Sequence, residues 1–354
     1  MIEKLGQTRK LLTGILLIPM LLLVGCGAEP TATTVPAAAP TTAATDTAAP
    51  AAAATNTTAP AAATDTAPAA TATEAMAGTT PTEAAGGGAS TEPTPAPTPV
   101  SQWVPGKYAK TIPAPSKLVK GGTLTVGSDA SYPPQEYVDA SGKPVGLDID
   151  IASEIASRMG LEMNVVNFKF DDIIPGLNAG QFDIVISAMT ITDERSKVVD
   201  FVPYFNAGQA VLVQKGNPKG IKTLDDLSGK TAVAEQGTTE EQTLKDLNAK
   251  LEAAGKPKVN VLTYPTDTDA VDQLRIGRAD ATLHDSPVAA YYAELNANAF
   301  EVAIPNFDSA PEGIATAKNN TAMHDAVDAA IKAMKADGTL NAILTKWGIS
   351  TSSQ

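Results

Sequence analysis

Apart from one apolar run near its start, the chain shows no regular hydrophobic period before residue 122, and an almost unbroken series of periods after it. Gly122–Gly127 alternates and predicts a first strand, followed by an irregular loop through Pro133 and Pro134, because paired prolines deny a helix. Asp139–Gly142 predicts a turn. Leu147, Ile151, Ile155 and Met159 share one helical face, so Leu147–Met159 predicts an amphipathic helix closed by Gly160. Glu162–Phe168 predicts a strand, Asp171–Ala179 a helix, and Phe182–Ile186 a short buried strand. Further on, Ala210–Gln214 is apolar, Thr223–Leu227 predicts a short helix and Lys230–Ala234 a strand. Thr238 with Glu241, or Thr239 with Gln242, has capping-box spacing ahead of a helix from Glu240. Val259–Tyr264 predicts a strand, Thr268–Ile276 a helix, Gly313–Ala317 a strand, and His324–Asp337 and Thr339–Trp347 the closing helices.

Alternation of helices and strands predicts an α/β fold, and an internal echo predicts two similar lobes. Leu177-x-x-Gly180-x-x-Asp183-Ile184 repeats as Leu274-x-x-Gly277-x-x-Asp280-Ala281. Each copy is a helix, a glycine stop and a strand. The strands end at polar groups, Ser187 and Thr190 in one, His284 and Asp285 in the other, as expected where strand carboxyl ends face a shared crevice.

Composition changes the picture of the first third. Lys4, Arg9 and Lys10 precede the apolar run Leu11–Val24, which is short for a bilayer span, and Leu23-Val24-Gly25-Cys26 has the form of a bacterial lipobox. Residues 1–26 are therefore expected to be a lipoprotein signal, with Cys26, the chain's single cysteine, carrying the lipid. Residues 27–116 are rich in Ala, Thr and Pro and are expected to form a disordered tether with a mean reach of about 50 Å. Trp103 and Tyr108 either mark its first contact with the folded body or are solvated. The net charge of −13 disfavours nucleic acid and anionic lipid as partners of the folded part.

The chemistry concentrates in SAMTITDERSKVVDFVPY, Ser187 to Tyr204. Thr192 predicts a helix N-cap with Asp193 and Glu194 in the first turn, and it fixes Arg195 beside the Ser187 and Thr190 hydroxyls. A guanidinium held in that way can take both oxygens of a carboxylate.

This stretch, with its S-x-x-T-I-T-x-E-R and D-F-x-x-P-Y pattern, resembles the family-three solute-binding proteins of polar amino-acid ABC importers, and the resemblance extends from about Gly121 to Gly348. It implies a two-lobed periplasmic-binding-protein type II (Venus flytrap) fold with two hinge crossings: lobe one from 117–209 and 306–354, lobe two from 210–305. It implies a zwitterionic ligand. Arg195, Thr190, Thr238 and Thr239 take its carboxylate, and Asp285 with Ser187 its ammonium; Ala188 also belongs to the ligand site. Tyr132 and Phe170 match positions whose rings sandwich the ligand side chain. Asp129, Glu235 and His284 match positions that read its far end.

Two ligands stay open. The run Leu283–Pro287 resembles glutamine-binding members, whereas two acids, Asp129 and Glu235, suit a cationic end such as that of arginine or lysine. The expected partners are a free polar amino acid and the membrane subunits of an ABC permease, with the protein monomeric, lipid-anchored and extracytoplasmic. No cofactor, metal or catalytic residue is expected. The alternatives on this fold are an enzyme, such as a ring-acid dehydratase or a peptidoglycan lyase, and an amino-acid sensor. Against a His284–Asp285 catalytic pair stands the rule that adjacent strand residues face opposite ways.

Overall fold

The computed structural model describes residues 102–349. The basic start, the apolar run, Cys26 and residues 27–101 of the expected tether lie outside the described residues.

The first lobe opens with β1 (Thr123–Ser128), whose six residues are all buried. Three short strands, β2 (Ser131–Tyr132), β3 (Glu136–Val138) and β4 (Pro144–Val145), form a small antiparallel sheet of their own. Helix α1 (Leu147–Met159) has the expected bounds and the expected buried face. β5 (Glu162–Asn167), α2 (Phe170–Asn178) and β6 (Ile184–Val185) follow, with β5 and β6 parallel to β1 on either side of it. The turn α3 (Asp193–Ser196) is capped by Thr192, whose hydroxyl accepts from the Arg195 N–H.

The chain leaves this lobe along β7 (Val199–Gln214). In the second lobe a 3-10 turn (Leu224–Leu227) leads to β8 (Thr231–Glu235), α4 (Thr239–Ala253), β9 (Asn260–Tyr264), α5 (Asp267–Arg275) and β10 (Ala281–Asp285). Helix α6 (Ser286–Leu295) precedes β11 (Phe300–Ala317), which returns the chain to the first lobe, where α7 (Thr321–Ala336) and α8 (Thr339–Lys346) close it.

Both hinge crossings are single long strands. β7 and β11 pair antiparallel from Phe300 opposite Gln214 to Ala317 opposite Val199, and their bulges lie at Val302/Ile304, Ile304/Phe307, Phe307/Ala310 and Glu312/Gly313. One eight-stranded sheet results, ordered β5-β1-β6-β11-β7-β10-β8-β9. Its two ends have separate cores: Val202, Tyr204 and Ala207 of β7 belong to the first, and Val211 and Val213 to the second. The expected two lobes and two crossings are present. Only Ala210–Gln214 of β7 and Gly313–Ala317 of β11 were expected, because bulges break the period of two on which a strand is recognised.

Two further corrections apply. α6 was not expected, although Pro287 in its first turn is a helix-start signal. The tether boundary at 116 is too late. Trp103 Nε1–H donates to Glu154 Oε2 at 3.0 Å, Ile112 packs against the first core, and the Tyr108 ring lies 4.6 Å from the Arg158 guanidinium carbon. Aromatic residues in a polar context gave this contact its only sequence signal. The internal echo is real: Gly180 and Gly277 both turn the chain at positive φ, 75° and 73°, where a side chain would be strained, and each delivers a strand to the central sheet.

Candidate ligand-binding site

The carboxyl ends of β1, β6, β8 and β10 meet between the lobes around a nearly closed cavity of about 20 Å³. Its wall is formed by Asp129, Tyr132, Glu136, Phe170, Ser187, Ala188, Thr190, Arg195, Glu235, Thr238, Thr239, Glu240 and Asp285. Every expected site residue except His284 is therefore in the wall, and Glu136 and Glu240 join it unannounced.

Arg195 is held from both lobes. Its NH1 donates to the Thr190 carbonyl at 2.7 Å and its NH2 to the Gly237 carbonyl at 3.1 Å. The guanidinium lies 5.2 Å from the Phe170 ring centroid, so that ring buttresses the cation. Thr238 caps α4 by accepting from Glu241 N–H, and the first turn of a helix offers N–H groups that attract an anion. Thr190 and Thr239 hydroxyls meet across the cleft at 3.3 Å.

The opposite pole is acidic. Tyr132 crosses from the first lobe to Asp285, donating its hydroxyl to Oδ2 at 3.2 Å and accepting from the Asp285 N–H at 2.7 Å. Burial pushes the Asp285 carboxyl well above the ordinary range, and the charges of Glu240 and Glu312 push it further. Ser187 Oγ accepts from Asp129 N–H at 2.9 Å and gives its proton to Glu136 Oε1 at 3.0 Å, so toward a ligand it can only accept. Ala188 sits at φ 40°, an unusual conformation for a residue with a side chain, pinned by its N–H bond to Asp148 Oδ2 at 2.8 Å.

Glu235 is buried beside Asp129 rather than turned to solvent. Burial raises its carboxyl well above the usual range and the Asp129 charge adds to that. Asp129, whose Oδ2 accepts from Phe170 N–H at 2.9 Å, is raised by burial as well. The two form an acidic floor.

His284 is a correction. It is fully buried outside the wall, between the rings of Tyr132 and Tyr292 at 6.4 and 5.6 Å, with Nδ1 2.7 Å from Asp267 Oδ1. That contact is off the line of a ring N–H hydrogen bond. Strand alternation is the reason: β10 turns only one of His284 and Asp285 to the cleft. Glu240 and Glu136 were hidden for different reasons. An acid in the first turn of a helix is ordinary, and Glu136 follows two prolines on an irregular stretch.

Residues 124–350 match the bacterial extracellular solute-binding proteins, family 3. The L-cystine-binding protein TcyJ of Escherichia coli (strain K12) is 35% identical over 66% of this chain and 85% of its own length. A solved ancestral arginine-binding protein bound to arginine is 42% identical, with a TM-score of 0.60 over 64% of this chain and 98% of that one. A solved ancestral arginine-binding protein bound to glutamine gives 41% and 0.60 over the same shares. With the match covering most of the chain and both lobes, this protein belongs to the bacterial extracellular solute-binding proteins, family 3.

Proposed function

We propose that this protein captures a cationic L-amino acid, arginine or lysine, outside the cytoplasm and presents it to an ABC permease. Arg195 and the start of α4 receive the α-carboxylate, Asp285 the α-ammonium, and Asp129 with Glu235 the side-chain cation. One observation carries the choice of ligand: Glu235 faces the cavity beside Asp129, while His284, on which a glutamine reading leaned, lies behind the wall. Two buried acids that raise one another's proton affinity are eased by a cation placed between them. Arginine-binding and glutamine-binding relatives are consistent with an amino acid in this cleft.

Closure is part of the proposal. The charged groups stand on different lobes, Arg195 on the first and Asp285 on the second, so only a ligand carrying both charges favours the closed form over the open one. A binding role, rather than catalysis, is supported by the withdrawal of His284 from the wall. Lipid attachment at Cys26 and a monomeric state complete the reading.

A thermal-shift panel tests it. Arginine or lysine at about 100 times Kd adds about 2.7 kcal/mol of stability, and glutamine and cystine add less. A larger shift from glutamine or cystine would overturn the cationic reading, and no shift from any amino acid would overturn the binding role.

A further inference from the structure

Glu240 is not among the groups that receive a ligand charge in the reading above, yet it occupies the centre of the cavity's electrostatics. It is the second residue of α4 and is only 5% exposed. Its Oε2 accepts from the Thr239 hydroxyl at 3.2 Å, and its Oε1 is buried with no hydrogen-bond partner while its side chain lines the cavity. Asp285, 6% exposed, lines the same cavity from β10.

We propose that Glu240 and Asp285 form a two-carboxylate seat for the ligand's ammonium, holding one proton between them until the ammonium displaces it. The proposal rests on the reading that an amino acid binds in this cleft. Two carboxylates at one desolvated site cannot both ionise without a cation between them, so one keeps a proton. An ammonium brings three donors and a full charge, which fills the vacant Oε1 acceptor and makes both ionised states favourable.

The surroundings decide the sign. Arg195 from α3 and His284 from β10 favour a charged Glu240. Desolvation outweighs them and raises its carboxyl. Glu235 from β8 and Glu312 from β11 are raised in part by the Glu240 charge, and Tyr132 from β2 feels both Asp285 and Glu240. Asp267 from α5 adds to the negative charge around Tyr132 and Glu235. The resident proton is a property of the pair, so both members titrate as one unit. Because a raised group holds its proton in the free protein and loses it in the complex, binding releases a proton. Affinity then rises with pH, by up to about tenfold per unit, until the free pair is ionised.

Titration calorimetry with L-arginine, in buffers of matched pH and different ionisation enthalpy, reads the protons released. Wild type should release about one more proton per ligand than Glu240→Gln, and Glu240→Gln should show the flatter affinity-against-pH curve. Asp285→Asn should likewise lower the release, because it removes the other half of the pair. Equal proton release and equal pH slopes for wild type and Glu240→Gln, with arginine still bound, would overturn the seat and leave the binding function standing. If Glu240→Gln does not fold, Asp285→Asn against wild type decides: equal proton release from the two, with arginine still bound, overturns it. Absence of arginine binding by wild type would instead overturn the function on which the seat rests.

Discussion

Two buried charge clusters in this protein use the same residue types to opposite ends. Arg158, 1% exposed, donates from Nε to Glu154 Oε1 at 2.9 Å and from NH2 to Asp337 Oδ2 at 2.8 Å and to the Thr339 hydroxyl at 3.0 Å. The other Glu154 oxygen takes the Trp103 N–H, and the other Asp337 oxygen the Thr339 N–H. All four carboxylate oxygens are answered from within the protein. In the cleft, Glu136 Oε2, Glu235 Oε1 and Glu240 Oε1 are buried and unanswered, and Arg195 is the one basic side chain in a wall of five acids. A cluster that satisfies itself holds the fold together. A cluster that does not is shaped for something the chain does not contain.

Substitutions at the two arginines separate these roles. Arg158→Ala leaves the buried Glu154 and the half-buried Asp337 without their cation and should lower unfolding free energy by about 3–5 kcal/mol, with arginine affinity unchanged in the fraction that folds. Chemical denaturation followed by calorimetry reads both quantities. Arg195→Ala should do the reverse. It should lower affinity by about 2–5 kcal/mol with little change in stability, and Arg195→Lys should be nearly as damaging because an ammonium cannot form the bidentate fork.

Glu235→Gln sharpens the comparison inside the cleft. It should weaken arginine binding by about 1.5–3 kcal/mol, the worth of a hydrogen bond to a charged group, and change glutamine affinity by well under about 1 kcal/mol. Equal losses for both ligands would show that Glu235 shapes the wall without reading charge.

The smallest effects are slopes, and they have opposite signs. Asp337 is held below the ordinary carboxylate range by its bonds to Thr339 and Arg158, which outweigh its partial burial. Its contribution to stability is present above the unfolded value and is lost as pH falls through the folded one. Asp148, behind the cleft, is pushed up to about 6 by burial. Its contribution is full below the unfolded value of 3.8 and disappears as pH rises through about 6. Glu235, Glu240 and Asp285 are raised too and follow Asp148. The ligand-free protein should therefore lose stability as pH climbs from about 4 through 6, a loss that Asp148→Asn reduces in thermal melts.

The contrast also explains what was legible beforehand. α1 was fully visible because four apolar residues and a terminal glycine agree on its bounds. Arg195 was visible because Thr192 fixes a helix start beside hydroxyls. Glu240 was not, since in sequence it is an ordinary first-turn acid, and only the opposing lobe makes it a buried one. The Asp267–His284 contact joins residues of α5 and β10, and the Arg158–Asp337 pair joins the first and seventh helices; neither has a local signal. Charge pairing across the fold is a property of packing, so patterns of period two or 3.6 do not carry it.

Calorimetry on arginine and two of its relatives asks whether the cleft reads all three of the charges proposed for its ligand. Agmatine lacks the carboxylate proposed for Arg195, and deaminated arginine, 5-guanidinopentanoate, lacks the ammonium proposed for Asp285. Each deletion should weaken binding by at least about 2 kcal/mol relative to L-arginine, because each strands a buried charge. Agmatine or 5-guanidinopentanoate binding as tightly as L-arginine would contradict the account.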